Sequence, residues 1–525
     1  MVNSVGNLVA VDRTEDEPRT VTTSLPRHFG RNALSNYAGA GVSLILALGL
    51  TPIMVRGLGA EGYGVWVLAT SAIQYFSLLH LGFGGATIRY IAVENERRDT
   101  HRLRSVVATS ALSLMVPGAF LLLISPGLAL LFPRIFDVPH DLVVPGMVVA
   151  LLTTIDLAFS LPTDVFGTTL IGLQRYDLLN LTVAGTSIAQ AVGWIVVIAL
   201  GGGLIPLGIC LLGFSLLGQL SRYLFARRLL GTNVLKRRYF DRKLVRTLLS
   251  MSGWLAVHEV AITVIGQIDS IVVGIVVGVP EAGIYAVGLK LASLTKSLTD
   301  AVQAIFYPEA SRLAAAGDHD GLRRAVFTGT RMSMAVAVPI NVILAVLAKP
   351  ALDAWVGPGF SSAALVVVYL SGAVVVTSIA GTLVNVLNGM GNVKVPAFFA
   401  VVEAGMNFPL SIALGLTIGL QGVALATLIA AVIANLGLTV PYSCRATQIS
   451  MAGLISVVVR AHLPPSIAAI GVGLLLSHGG LSGLLQVAAA GAAMLVTYAM
   501  VLFVTGLSAA ERSLVVDMVL PGRAH

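Results

Sequence analysis

Charge is what this chain has least of. Only 11% of its 525 residues are Asp, Glu, Lys or Arg, against about 25% in soluble domains. With 56% apolar residues and a mean hydropathy of +0.90, a soluble globular protein is excluded. The chain reads as an all-α polytopic membrane protein with little soluble mass. Aromatic residues are also few, at 6%, whereas glycine is plentiful at 55. That balance suits helices packed closely in lipid through small side chains. The two cysteines, Cys210 and Cys444, make neither a disulfide framework nor a metal cluster. Cys210 sits in an apolar run and reads as a small core residue. No GxxxxGK[ST] loop is present, so ATP hydrolysis by that route is excluded. Nothing in the composition calls for a cofactor.

Residues 1–33 are polar and mixed in charge, without the apolar stretch and cleavage site of a secretory signal. They read as a cytoplasmic tail, with the first span as an uncleaved signal. A span needs roughly 20 apolar residues. On that basis about fourteen candidates follow, near 34–55, 63–88, 105–132, 143–170, 178–200, 203–226, 248–278, 282–305, 325–348, 362–388, 395–418, 420–443, 460–478 and 481–505. Pro117, Pro126, Pro339 and Pro409 fall inside them and are expected to kink helices buried against neighbours.

The basic residues are distributed by side. With the N-terminus inside, 28 of the 33 Lys and Arg fall in cytoplasmic segments and 3 (Arg56, Arg134, Lys349) outside. The other two, Lys290 and Lys296, lie in the membrane. The positive-inside rule then puts both termini in the cytoplasm. The pI of 9.6 is explained by topology and by attraction to anionic inner-leaflet lipid, with no nucleic-acid partner needed.

The sequence also repeats. VRGLGAEGYGVWVLA (55–69) is echoed by VVGVPEAGIYAVGL (276–289), with Gly62 against Gly283. DTHRLRSVV (99–107) is echoed by DHDGLRRAV (318–326), and Leu170–Leu173 by Leu387–Met390. Three echoes in order indicate two homologous six-span halves, the arrangement of secondary transporters with a site between repeats. The expected units are 34–226, a basic linker 227–247, 248–443, two further spans within 444–505, and a cytoplasmic tail 506–525. The linker reads as an amphipathic segment held on the inner surface by anionic lipid.

Stretch 248–305 keeps ionisable groups at membrane depth, each costing about 2.5–3.5 kcal/mol on insertion scales. A chain that retains them is building a polar cavity. Lys290 and Lys296 are candidate substrate contacts, since a cation in a low-dielectric cavity attracts a phosphate. Alternatively Lys296 pairs with Asp300 one turn away, and Lys290 with Asp269. His258 and Asp269 differ by only about 20° around their helix and are expected to face the cavity. Asp269, His258 and Glu259 are candidate ion-coupling residues, Glu259 being turned about 100° from His258 toward another span. Glu403 and Asn407, one turn apart, suit a cation or sugar hydroxyls, or hydrogen bonds between helices. Asp156 is a further cavity candidate. Arg89, with Arg97, Arg98, Arg102 and Arg104, rims the cytoplasmic mouth.

Several segments carry a family pattern: Asn36 opening the first span, Pro52 near its end, RGLGAEGYGVW (56–66), LLHLGFGGATIRYIA (78–92), GMGNVKVP (389–396) and QGVALAT (421–427). They resemble the polysaccharide (O-antigen, Wzx-type) flippases of the multidrug/oligosaccharidyl-lipid/polysaccharide exporter superfamily. The resemblance covers roughly 30–445. It implies two six-helix bundles in a V, with two extra C-terminal helices here. It also implies export of a lipid-linked oligosaccharide, usually on undecaprenyl diphosphate, across the bacterial inner membrane by alternating access. A polysaccharide polymerase or export complex is an implied partner. His80 stands where the family often has Asp. A cation-coupled multidrug exporter would want an aromatic, acidic cavity, against which the membrane lysines argue. A membrane glycosyltransferase or ligase would want a sizeable outside loop with catalytic groups, and the outside loops here are short. An idle scaffold is a third class.

Overall fold

The computed structural model describes residues 29–80, 83–231, 235–251, 253–506 and 512. Most of the expected tails, 1–33 and 506–525, lies outside the described residues. The chain runs through α1 (Phe29–Gln74), α2 (Phe83–Glu96), α3 (Thr100–Phe136), α4 (Val143–Gly172), α5 (Tyr176–Ala199) and α6 (Leu204–Leu230). Next come α7 (Arg242–Met251), α8 (Gly253–Val276), α9 (Val279–Gln303), α10 (Phe306–Ala315), α11 (His319–Val346) and α12 (Ala348–Trp355). The last are α13 (Ala364–Gly389), α14 (Lys394–Ile418), α15 (Leu420–Ala431), α16 (Val440–Ala446), α17 (Met451–Ser477) and α18 (Leu484–Val501). No strand occurs among the described residues. Hydrocarbon selects for this, because only helices satisfy every backbone group within one spanning segment.

Among the described residues, twelve helices are long and apolar enough to cross a membrane. One of them, Ile45–His80, contains a backbone break that divides it into two spans, and α9, of span length but lowered in hydropathy by Glu281, Lys290, Lys296 and Asp300, falls outside the twelve. About fourteen crossings result. The break in α1 is Gly59, whose φ of 70° and ψ of 176° suit glycine alone. The expected second span, 63–88, is not one helix. It ends at Gln74, passes through a 3₁₀ turn at Tyr75–His80, and resumes as α2. Pro117 and Pro126 lie inside α3, Pro339 inside α11 and Pro409 inside α14.

Helix order from α8 to α16 follows that from α1 to α6. Breaks fall at Gly59 and at Gly278 (φ 145°), 219 residues apart. Asp99 caps α3 by accepting from Arg102 N at 2.9 Å, and Asp318 caps α11 by accepting from Gly321 N at 2.7 Å, again 219 apart. Gly64, two residues on from the Gly62 expected from the sequence echo, is therefore the counterpart of Gly283. These two glycines touch where α1 crosses α9. A Cβ at Gly64 would lie 2.0 Å from Val279 O, and one at Gly283 would lie 2.8 Å from Ala60 O. The largest apolar cluster continues through this crossing, joining Tyr63, Val65 and Leu68 to Val273, Val279 and Tyr285. Trp66 meets Trp194 edge-on at 5.3 Å. Helices α17 and α18 dock on α11 through Met334, Val458, Met494 and Tyr498. Large apolar side chains such as Leu123, Leu181, Leu475 and Leu485 point outward, as a lipid-facing surface requires.

Gly64→Ala is expected to destabilise the protein by about 1–3 kcal/mol, the usual cost of overpacking a tight core. Gly185→Ala, with open space around it, should leave stability within about 0.5 kcal/mol. Thermal unfolding of the detergent-solubilised protein separates the two.

Candidate functional site

The ionisable residues singled out in 248–305 do not share one cavity. Helix α8 is a wall between two. On one side lies a cavity of about 560 Å³ inside the second half, lined by His258, Asp269, Lys290, Lys296, Asp300 and Glu403. On the other lies a cleft of about 1250 Å³ between the halves, lined by Arg89 and Glu259. The helical period explains the split: His258 and Asp269 stand on one face of α8 and Glu259 about 100° away.

Asp269 is the anchor of the second-half cavity and is 2% exposed. Its carboxylate accepts hydrogen bonds from Tyr285 Oη at 2.8 Å, from Ser411 Oγ at 3.3 Å and from Thr427 Oγ1. Asn407, fully buried, donates from Nδ2 to Thr427 Oγ1 at 3.1 Å, and its Oδ1 lies 3.4 Å from Ser411 Oγ. Asn407 thus stands behind the cavity wall and supports Asp269. The carboxylate, two hydroxyls and the amide oxygen make a cluster of hard oxygen donors, the ligand type of alkali and alkaline-earth cations. No group of three His, Cys, Asp or Glu gathers as a metal site among the described residues.

The cavity's other charges are mostly settled locally. Lys296 Nζ reaches Asp300 Oδ2 at 2.6 Å, across one helical turn. Glu403 Oε2 accepts from Asn435 Nδ2 at 3.1 Å. Asn435 lies in a π-helical turn, Val432–Thr439, and such turns gather at functional sites. Lys290 has no ion pair with any described residue; the alternative of a pair with Asp269 is not formed, because three hydroxyls occupy that carboxylate.

Asp156 lines neither space. It sits inside the first half, accepting from Gln219 Nε2 at 3.3 Å. Nearby, Asp164 binds Arg222 Nη1 at 3.1 Å and stands 3.7 Å from His80 Nε2. His80, on the cleft wall, is therefore tied to α4 and α6. At the rim, Arg97 and Arg102 turn to the buried Glu94 at 3.5 and 3.9 Å, and Arg104 donates to Leu230 O at 2.7 and 3.0 Å. Arg89 remains on the cleft wall. Sequence reasoning missed Tyr285, Ser411, Thr427, Asn435, Asp164 and Arg222. Asn435 and Asp164 carried a readable signal, being polar residues inside apolar runs.

The sequence profile described as polysaccharide biosynthesis protein matches residues 29–314, more than half of the chain. The chain belongs to the polysaccharide biosynthesis protein family. A second profile, that of the lipid II flippase MurJ, matches residues 178–484 of this family member. Members of the family are transporters and flippases, not enzymes. Among curated relatives, the uncharacterized membrane protein EpsK of Bacillus subtilis is 22% identical over 80% of this chain and 84% of its own length. A putative O-antigen transporter of Shigella flexneri is 21% identical over 63% and 77%. Among solved structures, an inward-closed lipid II flippase MurJ aligns with TM-score 0.68 at 15% identity, covering 90% of this chain and 98% of its own. An inward-facing multidrug-resistance MATE transporter of the MOP superfamily also gives 0.68 at 15% identity, covering 79% and 96%. An outward-facing MATE structure gives 0.57. These structural likenesses establish the fold of this flippase-family protein.

Tyr285→Phe removes one donor from a buried carboxylate and is expected to cost about 1–3 kcal/mol. Asn407→Leu, which strips the support behind Thr427, should cost a similar amount. Thermal denaturation in detergent reads both.

Proposed function

We propose that this protein moves a lipid-linked oligosaccharide, on a carrier of the undecaprenyl diphosphate type, across the bacterial inner membrane by alternating access. Both termini lie in the cytoplasm, and the units 34–226 and 248–443 move against each other about the Gly64–Gly283 crossing. The observation that carries this reading is the cleft between the halves, with Arg89 on a wall that is otherwise largely apolar. A cation there attracts a diphosphate, while apolar walls tolerate a polyprenyl chain. The closer match to inward-facing than to outward-facing relatives supports a cleft that opens by domain movement. Lys290 and Lys296 in the second-half cavity contact the anionic or hydroxylated part of the cargo. Lys290 is the stronger of the two, because no carboxylate neutralises it. Asp269 holds the coupling cation, with Asn407, Ser411 and Thr427 as its oxygen partners, and His258 stands on the same face of α8 about three turns earlier. The product feeds a polysaccharide polymerase or export complex.

Deleting the gene in its own host is expected to make a lipid-linked oligosaccharide accumulate on the inner leaflet, read by lipid extraction and mass spectrometry. Absence of accumulation together with new sensitivity to cationic drugs would move the assignment to multidrug export. Lys290→Ala, expressed at the wild-type level, should lose at least about tenfold in glycan export. That corresponds to roughly 1.4 kcal/mol of lost binding. Asp269→Asn should remove the dependence of export on an ion gradient, checked by collapsing the sodium and proton gradients separately.

A further inference from the structure

The basic residues of this protein are not spread evenly once ion pairs are counted. In the second half, the turn between α10 and α11 settles its own charge, whereas Lys394 and Arg445 at other helix ends and Arg460 within α17 stand singly, with no ion pair to a described residue. Arg312 binds Glu309 at 2.6 Å, Arg323 reaches Asp320 at 3.9 Å, and Arg324 reaches Asp318 at 3.8 Å. The Arg312 guanidinium holds the Glu309 carboxyl below its ordinary range. The matching turn of the first half does the same, with Arg97 and Arg102 drawn to Glu94. The linker between the halves behaves differently. Arg227, Arg228, Arg237, Arg242, Lys243 and Arg246 are exposed, and none has an ion pair with a described residue. Asp241, the one carboxylate among them, is used as a cap, accepting from Lys243 N at 2.8 Å.

This surplus is mounted on a built surface. Arg104 of α3 donates to Leu230 O at the end of α6. Tyr239, 5% exposed, is enclosed between Arg238, whose guanidinium lies 4.7 Å from the ring centre, and His101 at 5.7 Å. Asp241 N donates to Thr109 Oγ1 at 3.0 Å. Helix α7 is amphipathic, and its apolar side is already occupied. Leu248 is fully buried and Leu244 and Val245 half-buried against the α2–α3 cluster. The linker is amphipathic, as its sequence indicates, but α7 buries its apolar face in protein, and its basic face is the free one. Phe240, 41% exposed, stands beside those cations as an aromatic ring suited to the headgroup level.

We infer that this linker platform, on the first half alone, is a binding surface for anionic phospholipid headgroups of the leaflet it faces. The ordinary excess of positive charge on the inside predicts the number of cations but not that the α2–α3 and α10–α11 turns pair theirs with carboxylates while the linker gathers at least six without an ion pair to a described residue on one surface. A pinned array of guanidinium and ammonium groups suits phosphate diesters, with Arg able to bind two oxygens at once. Held by headgroups at the linker, the first half is the fixed one, and the second half is free to move against it. The inference is independent of which cargo is carried.

The test uses the full-length protein in detergent, titrated with short-chain phosphatidylglycerol or phosphatidylcholine and read by native mass spectrometry. The expected result is preferential retention of phosphatidylglycerol by the wild type. The variant Arg237→Gln/Arg242→Gln/Lys243→Gln/Arg246→Gln should weaken that retention at least about tenfold. Arg312→Gln/Arg323→Gln/Arg324→Gln should leave it within about twofold. Equal loss in both variants, or no preference for phosphatidylglycerol in the wild type, would overturn the inference. If the fourfold variant fails to fold, Arg246→Gln alone and a titration of the wild type at rising salt decide the question. Binding that does not weaken with salt contradicts it.

Discussion

A carboxylate or ammonium inside a bilayer has no water to fall back on, so it must be paired within the protein or offered to a ligand. The interior of this protein is arranged around that constraint. Asp269 is enclosed by Tyr285, Ser411 and Thr427, Glu403 by Asn435, and Lys296 by Asp300. Asp164, Arg222 and His80 answer one another in the first half. Against this background of matched groups, Lys290, Arg89 and Glu259 are conspicuous for having no ion pair with a described residue. The same bookkeeping of partners, applied at the aqueous ends, distinguishes the settled turn between α10 and α11 from the open linker.

The second constraint is geometric. Two bundles are joined, and the contact between them is made where side chains are smallest. Gly64 and Gly283 let α1 and α9 approach backbone to backbone, while the apolar cluster around them crosses from one half to the other. Above and beside that crossing, α8 separates the cleft between the halves from the cavity inside the second half. A single helix with different residues on its two faces therefore borders both spaces. Asp269 on one face of α8 and Glu259 on the other are thus tied to the same rigid element.

Much of this was legible in the amino-acid order. Apolar runs of span length gave the crossings, because the bilayer fixes helix length. The four-residue spacing of Lys296 and Asp300 placed them in contact, and the eleven-residue spacing of His258 and Asp269 put them on one face. What was hidden has particular causes. The run from Tyr63 to Ile88 is apolar on average, and the isolated Gln74, Ser77 and His80 are too few to mark the 3₁₀ turn at Tyr75–His80 by hydropathy. Asn435 meets Glu403 across a π turn, whose wider period defeats a count at 100° per residue. The division of one expected cavity into two depends on what packs against each face of α8, a tertiary fact that helical periodicity does not contain. The linker's amphipathic pattern was visible, but whether lipid or protein covers its apolar side was not.

The most direct test of the account is transport by the purified protein. Vesicles containing an undecaprenyl-diphosphate-linked oligosaccharide in both leaflets would be prepared with and without the protein. The outward-facing glycan would then be trimmed by an added glycosidase that cannot cross the bilayer. Cleavage of about half in protein-free vesicles and of nearly all in vesicles containing the protein is the result expected of a flippase. Cleavage that stops at half in both, while the same vesicles expel a cationic dye, would contradict it.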